Sequence, residues 1–248
     1  MEEFKAKFEL TPEENVFVAK RNIVDYIWKS AKLEGLGVTF PETEAIYNGM
    51  SVANVKVSDI IAVNNLKRAW QFIFDTLDYP TDLKYICELN RIVGGDNLVY
   101  NAGYLRFIPV SIGGTTWKPP VPVEDEIKCK LAEISSVQNP TLRSIELMLY
   151  CMRTQMFVDG NKRTSMLAAN HEMIINGCGI ISVPVEIQPK FTELLVRFYE
   201  TGNENEIRKF VYDKCIDGLD LRAQERAVKK LTEEKPLEKR VNPKLHKR

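Results

Sequence analysis

Nearly every stretch of this chain with a readable apolar period carries the helical one, which restricts the fold to a bundle of helices. Thr11-Pro12-Glu13-Glu14 combines a cap, a proline at the first helical position and a glutamate at the third, the chemistry of a capping box. It predicts a helix running to about Leu33 or Glu34, where Gly35 and Gly37 stop it. Pro41 to Asn48 predicts a short helix ended by Gly49. Ser58 is expected to cap the next, in which Ile60, Ile61, Leu66, Trp70, Ile73, Phe74 and Leu77 recur at helical spacing. Thr81 is expected to start another, through Leu83, Ile86, Leu89 and Ile92 to Gly94-Gly95. Later helices are expected near Val123, Thr141 and Asn161, the last ending at Gly177, followed by Pro189–Tyr199, Glu204–Ile216 and Leu219–Glu233.

One stretch breaks the pattern. Tyr104 to Ile112 is rich in aromatic and branched residues, and Gly113-Gly114-Thr115-Thr116 follows as a turn. Gly103–Trp117 is therefore the good hairpin candidate, and Pro119, Pro120 and Pro122 make a stiff connector after it. The tail beyond Lys235 is basic and broken by prolines, so it is expected to fray.

Composition excludes several classes. Lys and Arg balance Asp and Glu at 34 each, so no global field draws the chain to nucleic acid or a membrane. No basic stripe with interleaved aromatics suggests nucleic acid. No apolar run approaches the roughly 20 residues that span a bilayer. The charged N-terminus lacks the apolar core of a signal peptide. Cys87, Cys129, Cys151, Cys178 and Cys215 are too scattered for a zinc site and read as reduced core thiols of a cytoplasmic protein.

The chemistry concentrates in Gln155-Met156-Phe157-Val158-Asp159-Gly160-Asn161-Lys162-Arg163-Thr164, between two apolar helical runs. A helix that begins near Asn161 offers unpaired main-chain N–H groups and a positive dipole end. Gly160 permits a tight turn and close approach to phosphate. Asn161 can donate from its amide, Lys162 adds a point charge and Arg163 a fork matched to phosphate oxygens. Asp159 is out of place in a plain anion site, but a carboxylate beside phosphates commonly holds Mg²⁺. An ordinary Asp-Gly-Asn turn between helices would carry the same residues.

This loop resembles the Fic/Doc family pattern His-x-Phe-x-Asp/Glu-Gly-Asn-Gly-Arg-x-x-Arg, matched here at Phe157, Asp159, Gly160, Asn161 and Arg163. Lys162 is similar to the Doc-type variant Gly-Asn-Lys-Arg. Gly103–Trp117 lies upstream where the family has its hairpin flap, and Ser30-Ala31-Lys32-Leu33-Glu34-Gly35 resembles the family's inhibitory motif. The resemblance implies an all-α, Fic-type helical bundle with a single β-hairpin flap. It divides the chain into an N-terminal helix with inhibitory motif and connector (1–57), a core with the flap (58–218) and a C-terminal helix with basic tail (219–248).

It also implies an activity: Mg-ATP-dependent transfer of AMP to a hydroxyl of a protein substrate or of the chain itself. ATP and Mg are the implied cofactors. Asp159 would hold the metal, while Gly160, Asn161, Lys162 and Arg163 would hold phosphates. Leu105, Arg106, Phe107 and Ile108 would align the target by strand pairing, and Glu34, with Ser30 in the same motif, would restrain turnover. No nucleic acid or membrane partner is implied, and a homo-oligomer is left open.

Two positions depart from the pattern. Gln155 stands where the family has its catalytic His, and an amide is no base at neutral pH. Losing a general base typically costs about 10²–10⁴ in rate. His171, mid-helix, is expected to be structural rather than a substitute, and His246 sits in the tail. Met166 stands where the second family Arg would grip phosphate and pair with the inhibitory Glu, so Glu34 must turn to Arg163 or Lys162, or hold weakly. The alternatives are a nucleotide-binding or regulatory pseudoenzyme, or a Doc-like kinase.

Overall fold

The computed structural model describes residues 4–222. The helices are α1 (Pro12–Arg21), α2 (Ile23–Leu33), α3 (Phe40–Tyr47), α4 (Val57–Asp75), α5 (Leu83–Val93), α6 (Glu124–Ser135), α7 (Pro140–Thr154), α8 (Asn161–Ile175), α9 (Gln188–Thr201) and α10 (Asn205–Lys214). Two short strands, β1 (Ile180–Ile181) and β2 (Ile216–Asp217), pair antiparallel with Ile180 opposite Asp217. The all-helical expectation holds. No helix among the described residues is long and apolar enough to cross a membrane.

The caps explain most of the boundaries and correct several. Thr11 and Thr39 both form complete capping boxes, with Glu14 and Glu42. The single helix expected from Thr11 to Glu34 is two, broken at Asn22 (φ −109°, ψ 15°). An Asn side chain competes with helical hydrogen bonding, and the Asn22 amide reaches the Tyr26 hydroxyl at 3.5 Å. Ser58 does not cap α4: the helix begins at Val57, after Lys56. Asp82, rather than Thr81, caps α5, accepting the Tyr85 N–H at 2.9 Å. Residues 219–222 are not helical; the rest of the expected Leu219–Glu233 helix, the basic tail and His246 lie outside the described residues.

The expected flap carries no paired strand over residues 103–117. Pro109 has no N–H to give a ladder. The Arg106 N–H goes to the Met156 carbonyl at 2.9 Å, so the segment is tied to the loop and not to a second strand.

Helices α7 and α8 pack most extensively and divide the core. One cluster joins residues of α1 to α6 with Leu147, Cys151, Phe157, Leu167 and Ala168. The other joins Ile145, Met148, Met152, Met166, Ala169 and Met173 to α9 and α10. Twelve residues of α8 are buried, so this helix has no solvent face of any width. Cys151, Cys178 and Cys215 are buried as expected, but Cys129 is exposed.

His171 is a core residue, fully buried and stacked on Tyr85 at 4.1 Å. Its Nδ1 shares a proton with the Thr81 hydroxyl at 2.8 Å, and its Nε2 lies 3.2 Å from the Thr76 carbonyl. Burial lowers its pKa below the usual 6.5, against smaller opposing effects of Thr76 and Glu172. The unfolded chain therefore takes up a proton that the folded chain refuses. The contribution of His171 is level above about pH 7 and destabilises progressively as pH falls below about 6.5. Urea melts between pH 5 and 8 should show this decline, and it should flatten in His171→Asn once the variant's lower overall stability is subtracted.

Candidate functional site

The bend between α7 and α8 is built from two left-handed residues. Gln155 (φ 48°, ψ 60°) ends α7, and Gly160 (φ 77°, ψ 9°) precedes α8. A Cβ at Gly160 would lie 3.2 Å from both Asn90 Nδ2 and Val93 Cγ1, so conformation and space both favour glycine. Asn161 closes the bend. Its Oδ1 accepts the Phe157 N–H at 2.9 Å, and its Nδ2 donates to the Phe157 carbonyl at 2.8 Å. Phe157 itself is buried in the core. Asn161, expected to donate to phosphate, thus uses its amide to shape the loop. Asp159 accepts the Gly160 N–H at 2.6 Å while its side chain stays 62% exposed.

The first main-chain N–H groups of α8, at Asn161, Lys162 and Arg163, fall outside helical hydrogen bonding. Arg163 is buried, and Lys162 is half-buried beside it. Into this cationic corner comes Glu34 from the end of α2. Its Oε1 lies 3.7 Å from Lys162 Nζ and its Oε2 lies 3.9 Å from Arg163 Nε. These separations give charge attraction without hydrogen bonding, and both Glu34 Oε1 and Arg163 Nε lack a hydrogen-bond partner among the described residues. Lys162 also reaches the Leu33 carbonyl at 3.4 Å. Ser30 is buried, and its carbonyl accepts the Glu34 N–H at 3.3 Å within the last turn of α2. Met166 packs in the second core cluster and plays no part in this corner.

A cavity of about 270 Å³ opens here, bounded by Glu34, Ser111, Gln155, Asp159, Lys162 and Tyr199 among others. It is slightly smaller than the roughly 300–1,000 Å³ of ordinary ligand pockets. A hollow of about 590 Å³ bounded by Tyr79, Lys128, Arg143 and Glu172 is larger, yet it touches none of the loop residues. Gln155 folds back on its own helix, donating from Nε2 to the Met152 carbonyl at 2.6 Å. Tyr199 is buried, and its hydroxyl has no hydrogen-bond partner among the described residues. Burial, then the Glu34 charge, pushes its pKa up, while nearby Gln155 pulls weakly the other way.

The four expected flap residues divide two and two. Phe107 and Ile108 are exposed, at 73% and 43%. Leu105 packs against the core, and Arg106 is buried. Arg106 donates to the carbonyls of Gln155 (2.6 Å), Ile108 (2.8 Å), Pro119 (3.4 Å) and Pro120 (2.5 Å). It is therefore a staple joining loop, flap and connector, and is not free to touch a target.

Asn90 and Tyr199 were not anticipated. Asn90, buried on α5, donates to the Asp159 carbonyl at 3.0 Å and the Thr164 hydroxyl at 3.1 Å, and accepts the Gly103 N–H at 2.8 Å. An Asn inside a helix carries no sequence signal for such a junction.

The two most extensively packed helices, α7 and α8, thus meet at a bend that places Lys162 and Arg163 at the start of α8. Residues 80–173 match the family model described as Fic: Fic/DOC family. The chain is 26% identical over 201 residues to the protein adenylyltransferase Fic of Drosophila melanogaster, covering 77% of this chain and 40% of that protein. The Drosophila persimilis protein of the same name is 25% identical over 201 residues, covering 77% and 38%. The chain thus spans about 40% of the length of the curated relatives it matches. Among solved structures, it is similar to a Fic domain containing signaling protein from Bacteroides thetaiotaomicron (TM-score 0.67, 19% identity, 82% of this chain and 84% of that one). It is also similar to Fic-1 (aa134–508) from C. elegans (TM-score 0.68, 19% identity, 88% and 66%). These structures share the fold.

Removing the Asn90 side chain as Asn90→Ala should leave three polar partners unmatched and cost about 2–3 kcal/mol of stability. Equilibrium urea unfolding measures this directly.

Proposed function

We propose that this protein transfers AMP from ATP to a hydroxyl of a protein, the hydroxyl oxygen bonding to the α-phosphorus as the α–β anhydride bond breaks and pyrophosphate leaves, slowly, and under restraint by Glu34. The observation that carries the reading is the carboxylate of Glu34 lying 3.7 and 3.9 Å from Lys162 and Arg163, the two cations at the start of α8. A helix N-terminus with two adjoining cations favours phosphate, and here an internal anion takes that place. The names of the Drosophila relatives point to the same chemistry.

Under this reading, Lys162, Arg163 and the free N–H groups of α8 bind phosphate oxygens, and Gly160 lets them approach. Asp159, exposed and bound only by its neighbour's N–H and a long contact to Arg163, suits Mg²⁺, which keeps most of its waters and needs one carboxylate plus phosphate oxygens. The metal would neutralise charge on the phosphates. Phe107 and Ile108, the exposed half of the flap, present main chain and apolar surface to the target. Gln155 cannot take the proton from the attacking hydroxyl, so transfer leans on positioning and charge.

The second reading is a nucleotide-binding regulatory protein without transfer. It is favoured by the Gln155 side chain, which is bonded to Met152 and so turned to its own helix.

Incubation with Mg²⁺ and ATP labelled at the α- or the γ-phosphate separates these readings. Protein-bound α-label is expected. Label from the γ-position would make the protein a kinase, and measurable ATP affinity with neither label would make it a regulatory module. Glu34→Gly should tighten ATP binding and raise α-label incorporation; unchanged values of both would end the restraint model. Gln155→His, supplying a base that titrates near neutrality, should raise transfer by about 10²–10⁴.

A further inference from the structure

The corner at the start of α8 holds more unmatched polarity than its charges account for. Glu34 Oε1, Arg163 Nε and Tyr199 Oη are all buried, and none has a hydrogen-bond partner among the described residues. Glu34 and Tyr199 bound the same cavity of about 270 Å³. Toward Lys162 and Arg163 the carboxylate is held by attraction alone, at 3.7 and 3.9 Å, so its demand for a donor stays open. Tyr199 is a donor with the opposite lack. Only 2% of it is exposed, and a phenol buried without an acceptor costs stability.

Tyr199 has little freedom to look elsewhere. Its ring stacks on Trp117, with centroids 6.1 Å apart and planes 18° from parallel, and its carbonyl accepts from Arg153 at 3.2 Å. The helix that carries it, α9, is tied to α2 beside the restraint. Gln188, at the start of α9, donates to the Lys29 carbonyl of α2 at 2.9 Å. Leu33, next to Glu34, packs against the core cluster that contains Tyr199. Burial, and then the Glu34 charge, keep the proton on the Tyr199 hydroxyl, which therefore stays a donor. Gln155 offers that hydroxyl only a neutral amide, and a carboxylate is the stronger acceptor.

We infer that Tyr199 is a positioning residue for Glu34: its hydroxyl directs its proton to the carboxylate across the cavity. It supplies from α9 the hydrogen bond that α8, with Met166 in place of the second Arg, does not. The cavity has room for a water between the two groups, and a bridged bond holds nearly as well as a direct one. Calling the contact part of a restraint rests on the reading above; the contact itself does not. Three helices then converge on one carboxylate: α2 carries it, α8 attracts it and α9 bonds it.

A double-mutant cycle between Tyr199→Phe and Glu34→Gly tests this, read first in urea unfolding without nucleotide and then in ATP binding by isothermal titration. With Glu34 present, Tyr199→Phe should lower the folding constant by about threefold or more; in the Glu34→Gly background the same change should leave it level or raise it, because the hydroxyl then has no acceptor. ATP affinity should tighten by about threefold or more in Tyr199→Phe with Glu34 present, and stay level without it. A packing role alone would shift both backgrounds alike. Equal effects in the two backgrounds of the unfolding cycle, no effect in either, or weaker ATP binding in Tyr199→Phe with Glu34 present would overturn the inference. Coupling in unfolding while Glu34→Gly leaves ATP affinity unchanged would uphold the contact and sink the restraint reading. Tighter ATP binding in Glu34→Gly with no coupling to Tyr199 would do the reverse.

Discussion

The reciprocal pair of hydrogen bonds between the Asn161 side chain and the main chain of Phe157 holds the rest of the site in place. It is buried, so water does not compete for it, and it closes the bend between the two most extensively packed helices. With the bend closed, Phe157 stays in the core, Asp159 stays outside, and α8 begins at a fixed point with its unpaired N–H groups beside Lys162 and Arg163. Asn90 ties the same bend to α5 and to the start of the flap, and Arg106 ties it to the flap's exit. Loop, flap and connector are thereby one hydrogen-bonded unit.

Glu34 enters this unit from outside it. It belongs to α2 and meets the loop's cations by charge rather than by hydrogen bonds. With Met166 packed in the core, the contact relies on Lys162 and Arg163, and a buried carboxylate oxygen with an unmet hydrogen-bonding demand is held there by attraction alone. Under the proposed restraint, a competing phosphate would offer these cations the hydrogen bonds that Glu34 does not make.

Much of this was legible in the sequence because it is local. Capping boxes at Thr11 and Thr39, the glycine of the bend and the cations after it are signals within a few residues of one another. With the Arg missing at position 166, the sequence left Glu34 either to turn to Arg163 or Lys162 or to hold weakly, and the structure places it 3.7 and 3.9 Å from those two cations. What escaped was long-range. Asn90 contacts Asp159 and Thr164 across nearly seventy residues or more. Arg106 looks like a solvated cation in an exposed strand, yet it is buried because four carbonyls converge on it. Within the expected hairpin, the Ile108 carbonyl is taken by that side chain and the Arg106 N–H by the Met156 carbonyl. Asn22 broke a helix that periodicity ran straight through, since period reports the buried face and not the continuity of the backbone.

The burial of α8 on all sides has a consequence for ligand entry. A rod wedged between two halves of a core cannot pivot, and the donors at its tip are set before anything arrives. The group that meets those donors from outside the bonded unit is Glu34, at the end of α2, held to them by charge and not by hydrogen bonds. Under the proposed function, a ligand would then meet a fixed set of donors whose availability depends on where that one carboxylate sits.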